Sequence, residues 1–270
     1  MRRMRRAGSG GFGLGLGVIT IALILINAVV FFGVQGQDTA KVYDSEWSAD
    51  CISHKLCDGY IVEGYCCPNE ACEITGGWVE CDSTNCEKIS EGTGSECTYT
   101  ETDGFGLIPI KAFERPWTFI TSMFMHVGVE HLMGNMIFLF FLGSILERVV
   151  GARNFLIIYF FSGLCAGMLV LFAPELGLMG YYDVVMGASG AIFGVVGALV
   201  VLRPMQTIYL QFFMPMPMIV FGLLYIGFEL YMMMTVGDVG IAHSAHFGGA
   251  VGGLIIGAYF RMNKKYIQPG

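Results

Sequence analysis

Six apolar segments, most of them close to the length of a membrane-spanning helix, set the limits on how this chain folds. They cover roughly residues 11–34, 129–150, 152–173, 188–202, 206–234 and 239–262. About 20 apolar residues in a helix span the hydrocarbon core of a bilayer. Charged residues make up only 14% of the 270 residues, whereas a soluble domain carries about a quarter. The sequence therefore predicts an all-α, multi-pass membrane protein with six transmembrane helices, the fourth of them unusually short.

The first apolar segment has an alternative interpretation as a cleaved secretory signal. Its apolar stretch is longer than a typical signal core, and the residues at its end, Phe31 to Val34, make a poor cleavage site. We therefore expect the segment to be retained as the first membrane helix.

The placement of basic residues predicts the orientation of the chain in the membrane. Basic residues flank the cytoplasmic ends of membrane helices. Four precede the first segment, namely Arg2, Arg3, Arg5 and Arg6. Three lie at or just after the end of the last segment, namely Arg261, Lys264 and Lys265. Six crossings would then leave both termini in the cytoplasm and place residues 35–116 outside it.

Eight of the nine cysteines lie in this extracytoplasmic stretch, and Cys165 in the third apolar segment is the ninth. The eight are Cys51, Cys57, Cys66, Cys67, Cys72, Cys81, Cys86 and Cys97. An even number in a short segment outside the cytoplasm indicates four disulfides. Zinc binding is the alternative, but only His54 lies nearby and paired Cys-x-x-Cys motifs are missing. The sequence thus divides into 1–34 with the first helix, a disulfide-rich insertion at 35–104, and a helical remainder at 105–270.

Ser189 lies in Gly187-Ala188-Ser189-Gly190, at the start of the short fourth segment, which ends before Arg203. Fourteen helical residues rise about 21 Å, and the hydrocarbon core is about 30 Å thick. Ser189 is therefore expected roughly 10 Å below the outer surface. The preceding loop must dip inward, and irregular backbone at that depth requires a cavity or protein around it. Gly187 would allow the tight entry into the helix.

Polar residues on two other segments are expected at the same depth. His131 and Asn135 are four residues apart on the second segment, hence on one helix face, and His246 lies in the first turns of the sixth. Ser189 and His246 could act as nucleophile and base, with His131, Asn135 and the Ser189 N–H as oxyanion donors. No carboxylate is obviously placed to orient His246, so the sequence indicates a dyad. Each motif alone could equally serve helix packing.

These motifs together resemble the rhomboid family of intramembrane serine proteases. The matching patterns are His131-x-x-x-Asn135, Gly187-Ala188-Ser189-Gly190, and Ala245-His246 followed by Gly249 and Gly253. The resemblance implies Ser189 as nucleophile, His246 as base, and His131 and Asn135 in the oxyanion hole. His243, one turn before His246, is the competing base, and the glycine spacing favours His246.

The resemblance also assigns roles to residues other than Ser189, His246, His131 and Asn135. It implies that Phe193 stacks beside His246, that Glu147 ties the cytoplasmic turn after the second helix, and that His126 is structural. The family's first loop often carries Trp-Arg, whereas this chain has Trp117-Thr118.

The partners implied are transmembrane, single-pass protein substrates cut near small residues, within a lipid bilayer. We expect no cofactor, no metal and no nucleic acid. The fifth helix, with Pro215 and Pro217 and many methionines, is a candidate lateral gate. Two alternatives remain open: a non-enzymatic, rhomboid-like protein that escorts membrane clients, and a membrane-anchored recognition module that acts through the cysteine-rich insertion.

The cysteine arrangement yields a direct test. We expect intact-mass analysis after alkylation to show eight additional alkylated thiols once reductant is added, because four disulfides would protect eight cysteines. Cys165 would serve as the internal control that alkylates without reductant after unfolding. Eight free thiols before reduction, or a bound zinc ion, would contradict the disulfide assignment.

Overall fold

The computed structural model describes residues 17–35, 104–181, 183–210, 214–238 and 240–263, together with short strands between 41 and 99. The main helices of the described part are α1 (Val18–Val29), α2 (Thr118–Thr121), α3 (Val129–Phe138), α4 (Ser144–Val150), α5 (Ala152–Phe172), α6 (Ser189–Leu202), α7 (Met218–Thr235) and α8 (His243–Met262). Two π-helical segments extend α1 through Val30–Val34 and join α3 to α4 through Leu139–Gly143. Short 3-10 turns cover Pro109–Lys111 and Ser122–Phe124.

The insertion contains short antiparallel strands, so the chain is mostly helical rather than all-α as predicted. The strands are β1 (Lys41–Val42), β2 (Gly59–Val62), β3 (Tyr65–Pro68), β4 (Cys72–Thr75), β5 (Trp78–Cys81), β6 (Glu87–Lys88) and β7 (Thr98–Tyr99). They pair as β1–β7, β2–β3–β6 and β4–β5. The predicted disulfides concern side chains that lie outside the described residues, and the proposed division at residue 104 stays a prediction.

Within the described residues, three helical stretches are long and apolar enough to cross a membrane. They are Val129–Val150, Ala152–Phe172 and Met218–Thr235. Val18–Val34 and Ser189–Leu202 are shorter apolar helices. The short fourth helix predicted from the sequence is therefore present with nearly the expected bounds, and the number of six crossings stays a prediction.

The fifth apolar segment differs from its prediction as one helix from Gln206. Its first part forms a hairpin of β8 (Thr207–Leu210) and β9 (Met214–Pro217), and α7 begins only at Met218. Proline has no backbone N–H and disrupts a helix interior, so Pro215 and Pro217 keep the helix from starting earlier. The two prolines thus precede the helix that was the candidate lateral gate and do not lie within it.

Hydrogen bonds at both ends of the bundle show which helix ends lie together. Gln35, after α1, exchanges two 2.9 Å hydrogen bonds with the backbone of His126, which precedes α3. At the opposite end, the Glu147 carboxylate of α4 accepts hydrogen bonds from Ile19 N at 3.1 Å and Thr20 N at 2.8 Å. A carboxylate at a helix N-terminus satisfies free N–H groups and favours the helix dipole. Glu147 therefore ties α4 to the start of α1.

Helices α6 and α8 pack closely because glycines face each other along the contact. A Cβ on Gly253 would lie 1.9 Å from the carbonyl oxygen of Gly194, and a Cβ on Gly249 would lie 1.9 Å from that of Gly190. Small residues let helix backbones approach closely in membranes. The Arg261 guanidinium donates to the Val201 carbonyl at 2.7 Å, so the C-terminal ends of both helices coincide. The two helices therefore run in the same direction, and the first turns of the longer α8 extend past the N-terminal end of α6, where the candidate site lies.

This contact generates a stability prediction. We expect Gly253→Ala to lower the thermal unfolding temperature in lipid or detergent, because the new methyl would overlap the Gly194 carbonyl. Overpacking of this kind costs typically about 1–3 kcal/mol. Gly227→Ala on α7 is the matched control, since nothing lies within 4 Å of its Cβ position. A Gly253→Ala protein as stable as the Gly227→Ala control would refute the close contact.

Candidate active site

Ser189 and His246 meet at the N-terminal ends of α6 and α8. Ser189 is the first residue of α6, and His246 is the fourth residue of α8. Their side chains lie within hydrogen-bond distance, with 2.8 Å between Ser189 Oγ and His246 Nε2. Both side chains are half-buried. Of the two candidate histidines, His246 is thus the one that contacts the serine.

Gly187 allows the approach of His131 to the serine. Its φ of 132° lies in the region that favours glycine. A Cβ at this position would lie 2.8 Å from His131 Cε1 and 3.6 Å from Ser189 Oγ. The Gly187 N–H donates to the Ser122 carbonyl at 2.8 Å, which fixes the entry into α6. The imidazole of His131 therefore lies on the same side of the site as the serine hydroxyl.

Asn135 and His126 lie near His131 but make different contacts. The Asn135 amide nitrogen donates to the His131 carbonyl at 3.0 Å, within α3. The His126 and His131 rings pack edge to face with centroids 5.1 Å apart. His126 lies before α3 and is fully buried, and burial lowers its pKa to about 4, with His131 as a second cause. A neutral His126 is thus packed behind His131.

An aromatic stack of two rings lies against the His246 imidazole. Phe193 stacks directly on His246 with ring centroids 4.4 Å apart and an interplanar angle of 16°. Tyr225 of α7 stacks in turn on Phe193, with ring centroids 4.6 Å apart. Phe193 is thus found beside His246, where the resemblance implied it. Sequence reasoning missed Tyr225, since one aromatic residue in an apolar helix gives no distinct signal.

A buried carboxylate lies beside His246, where the sequence indicated none. Glu229 of α7 is 4% exposed, and its Oε2 lies 3.1 Å from His246 Nδ1. The same oxygen lies 2.6 Å from His243 Nδ1. The expectation that no carboxylate is placed near His246 is therefore wrong. The signal was available, because an acidic residue inside an apolar helix is costly and marks a functional site by default.

The side chains of Glu229, His243 and His246 each offer a nitrogen or oxygen atom, and these atoms lie within 4.8 Å of one another. The 2.6 Å separation of His243 Nδ1 and Glu229 Oε2 is the length of a charge-assisted hydrogen bond. Glu229 is therefore hydrogen-bonded to His243, with His246 Nδ1 3.1 Å from the same oxygen.

A cavity of about 560 Å³ opens in front of the serine. Its polar lining includes Ser189, His246, His131 and Asn135, together with Ser122, Glu130 and Tyr225, and most of its other lining residues are apolar. The entry loop between α5 and α6 forms one wall, held to Leu107 by backbone hydrogen bonds with Val185 at 2.8 and 2.9 Å. The described residues of 174–188 form turns and extended backbone, as the sequence predicted for this loop.

Comparison with known proteins assigns the chain to a family. A model of the rhomboid domain matches residues 114–263, more than half of the chain. The chain belongs to the rhomboid family. The apolar helices and this membership together make it an integral membrane protein.

Curated rhomboid relatives match a little more than half of the chain. RHOMBOID-like protein 12, mitochondrial, of Arabidopsis thaliana is 31% identical over 54% of this chain and 47% of its own length. Rhomboid protease GluP of Bacillus subtilis is 29% identical over 55% of this chain and 27% of its own length. Inactive rhomboid protein 1 of Drosophila melanogaster is 27% identical over 57% of this chain and 10% of its own length. The match thus spans less than half the length of each of these relatives.

Proposed function

We propose that this rhomboid-family chain is an intramembrane serine endopeptidase that uses Ser189 as nucleophile and His246 as general base. The observation that carries the proposal is the 2.8 Å contact between Ser189 Oγ and His246 Nε2 at the wall of the cavity. A nucleophile and base within about 2.6–3.2 Å are the signature of covalent acyl transfer. The similarity to a relative named as a protease supports the same reaction class.

In this proposal each step of peptide cleavage has a named atom. His246 Nε2 takes the proton of Ser189 Oγ as the oxygen attacks the substrate carbonyl carbon. The tetrahedral intermediate collapses, and His246 returns the proton to the leaving amine, which forms the acyl-enzyme on Ser189. A water molecule, deprotonated by His246, then attacks the ester carbonyl carbon. As the bond to Ser189 Oγ breaks, His246 returns the proton to Oγ and the new carboxyl end is released. Phe193 supports these transfers by keeping the imidazole face in place.

Three groups are available to stabilise the oxyanion. The N–H of Ser189 belongs to the first turn of α6, whose first four N–H groups have no partner within the helix. The His131 ring lies on the serine side of the cavity, and the Asn135 side chain also lines it. Donors aimed at the developing negative charge are worth most in a site of low dielectric. We assign His131 and Asn135 to this role.

The cavity also supports a substrate class. Its mainly apolar lining fits a polypeptide segment that arrives from lipid, and its polar end can hold the carbonyl that reacts. We therefore propose that the substrates are transmembrane, single-pass proteins cut near small residues. In this proposal the chain crosses the bilayer six times, both termini are cytoplasmic, and cleavage occurs from the extracytoplasmic side.

A non-enzymatic role in binding membrane clients is the alternative, because one relative is named as an inactive rhomboid protein. The contact between Ser189 and His246 favours the protease. Reaction with a fluorophosphonate probe separates the two functions, since only an activated serine would react.

We expect Ser189→Ala and His246→Ala each to abolish cleavage of a transmembrane substrate in lipid bilayers, because they remove the nucleophile and the base. Membrane insertion and thermal stability should stay close to those of the wild type. Cleavage retained in His246→Ala and lost in His243→Ala would show that His243 is the base. Absence of both cleavage and probe labelling in the wild type would instead support the binding role.

We expect His131→Ala and Asn135→Ala each to lower turnover roughly 10- to 1,000-fold, because each removes one oxyanion donor. Single-turnover kinetics with a transmembrane substrate would measure this effect. Met133→Ala is the matched control, since Met133 lies between them on α3 and its side chain is exposed. Unchanged turnover in both donor variants would leave only backbone N–H groups in the oxyanion hole.

A further inference from the structure

We propose that Glu229 is a positioning residue that holds His246 in the tautomer and orientation required to accept the proton of Ser189. The proposal rests on the proposed function, since it concerns how the base is prepared. It extends the serine–histidine pair to an arrangement of serine, histidine and glutamate whose members come from α6, α8 and α7.

The burial of Glu229 shows that its carboxylate has a specific partner. The side chain lies inside α7, one of the stretches apolar enough to cross a membrane, and is 4% exposed. An ionised carboxylate is very costly in such surroundings unless it is paired and hydrogen-bonded. The partners that it contacts are the Nδ1 atoms of His243 and His246. The two histidines are thus the partners of the buried carboxylate.

The two ring nitrogens of His246 face different partners. Nε2 lies 2.8 Å from Ser189 Oγ, and Nδ1 lies 3.1 Å from Glu229 Oε2. A carboxylate accepts hydrogen bonds and has no proton to donate when ionised. The negative charge 3.1 Å from Nδ1 favours the tautomer of neutral His246 that carries its proton there, and in this tautomer the Nε2 lone pair is free to accept the serine proton. After that transfer, the carboxylate lies beside the imidazolium and stabilises its charge.

Side chains from α3, α6, α7 and α8 lie around the His246 ring. Ser189 lies at Nε2, Phe193 of α6 covers one face, and Glu229 lies at Nδ1. On its own helix, the His243 ring lies 6.3 Å away and edge to face. His131 of α3 and Tyr225 of α7 line the same cavity. Among these groups Glu229 is the one that carries a negative charge next to the ring.

His243 also has a role in this arrangement. Its Nδ1 lies 2.6 Å from the oxygen that faces His246, the shorter of the two contacts. This hydrogen bond fixes the carboxylate of α7 against α8, so Oε2 cannot rotate away from His246. His243 thus anchors Glu229, and Glu229 orients His246.

A purely structural role, in which Glu229 only ties α7 to α8, is the alternative. Both roles predict that Glu229→Ala is harmful, so that variant alone does not separate them. Glu229→Gln has nearly the same shape and removes only the charge, and its amide no longer requires a proton on Nδ1. Phe228→Ala, at a neighbouring side chain that is 52% exposed, is the control for perturbation of α7.

The test combines turnover with a direct measurement of the tautomer. We expect Glu229→Gln to lower kcat at least about 10-fold, a part of the 10²- to 10⁴-fold supplied by a positioned base, while KM changes less than about twofold. Phe228→Ala should keep the wild-type kcat. Nitrogen-15 NMR of histidine-labelled protein in bilayers should show the wild-type His246 protonated on Nδ1, with assignment by comparison with His246→Ala. In Glu229→Gln we expect the proton to shift toward Nε2.

The outcomes separate this proposal from the proposed function. Wild-type protein that neither cleaves substrate nor labels at Ser189 would refute the protease itself. An active wild type with His246 protonated on Nε2, or a Glu229→Gln variant with unchanged kcat and tautomer, would refute the positioning role alone. The wild-type spectrum tests the positioning role even where Glu229→Gln proves unstable, because the tautomer of His246 is measured without any variant of Glu229.

Discussion

The close contact between α6 and α8 is the feature on which the rest of the structure depends. The Gly249 and Gly253 positions leave no room for a side chain against the carbonyls of Gly190 and Gly194. The backbones can therefore approach until Ser189 and His246 lie 2.8 Å apart. Without a hydrophobic driving force between helices in lipid, such packing and polar contacts must hold the bundle together. The same glycines that stabilise the bundle thus set the distance between the reacting groups.

The polar side chains of the site lie together within apolar helices. Glu229 accepts a hydrogen bond from His243 and lies 3.1 Å from His246 Nδ1, His246 meets the serine, and the apolar ring of Phe193 covers the imidazole. Buried polar networks are stabilising only when their members are paired. Each member also has a chemical task in the proposed reaction. The contacts that pair these buried side chains therefore also position them for the proposed reaction.

Much of this architecture could be predicted from the sequence. Apolar length alone predicted the helices at 129–150, 152–173 and 188–202, and the structure places them at Val129–Val150, Ala152–Phe172 and Ser189–Leu202. Spacing along the helices also brought Ser189 and His246 to one level. These successes share a cause, since helix length and rise are nearly independent of the surroundings.

The failures have two causes, distant contacts and overlooked local signals. Glu229 lies 17 residues from His246 in sequence, and only the packing of α7 on α8 brings them together. The β8–β9 hairpin is as apolar as a helix, and its prolines rather than its hydropathy decide its structure. The disulfide-rich insertion was interpreted from its cysteines alone, so its short hairpins, β2 with β3 and β4 with β5, were not predicted. Apolar length therefore predicts helices well but not what they contact.

The central claim is that Ser189 is an activated nucleophile, and mapping a covalent adduct tests it most directly. The protein would be treated with a fluorophosphonate probe in lipid bilayers, digested and analysed by mass spectrometry, with His246→Ala in parallel. We expect one adduct, on Ser189, which is lost in His246→Ala. An adduct on a different serine, or a Ser189 adduct that forms equally fast without His246, would contradict it.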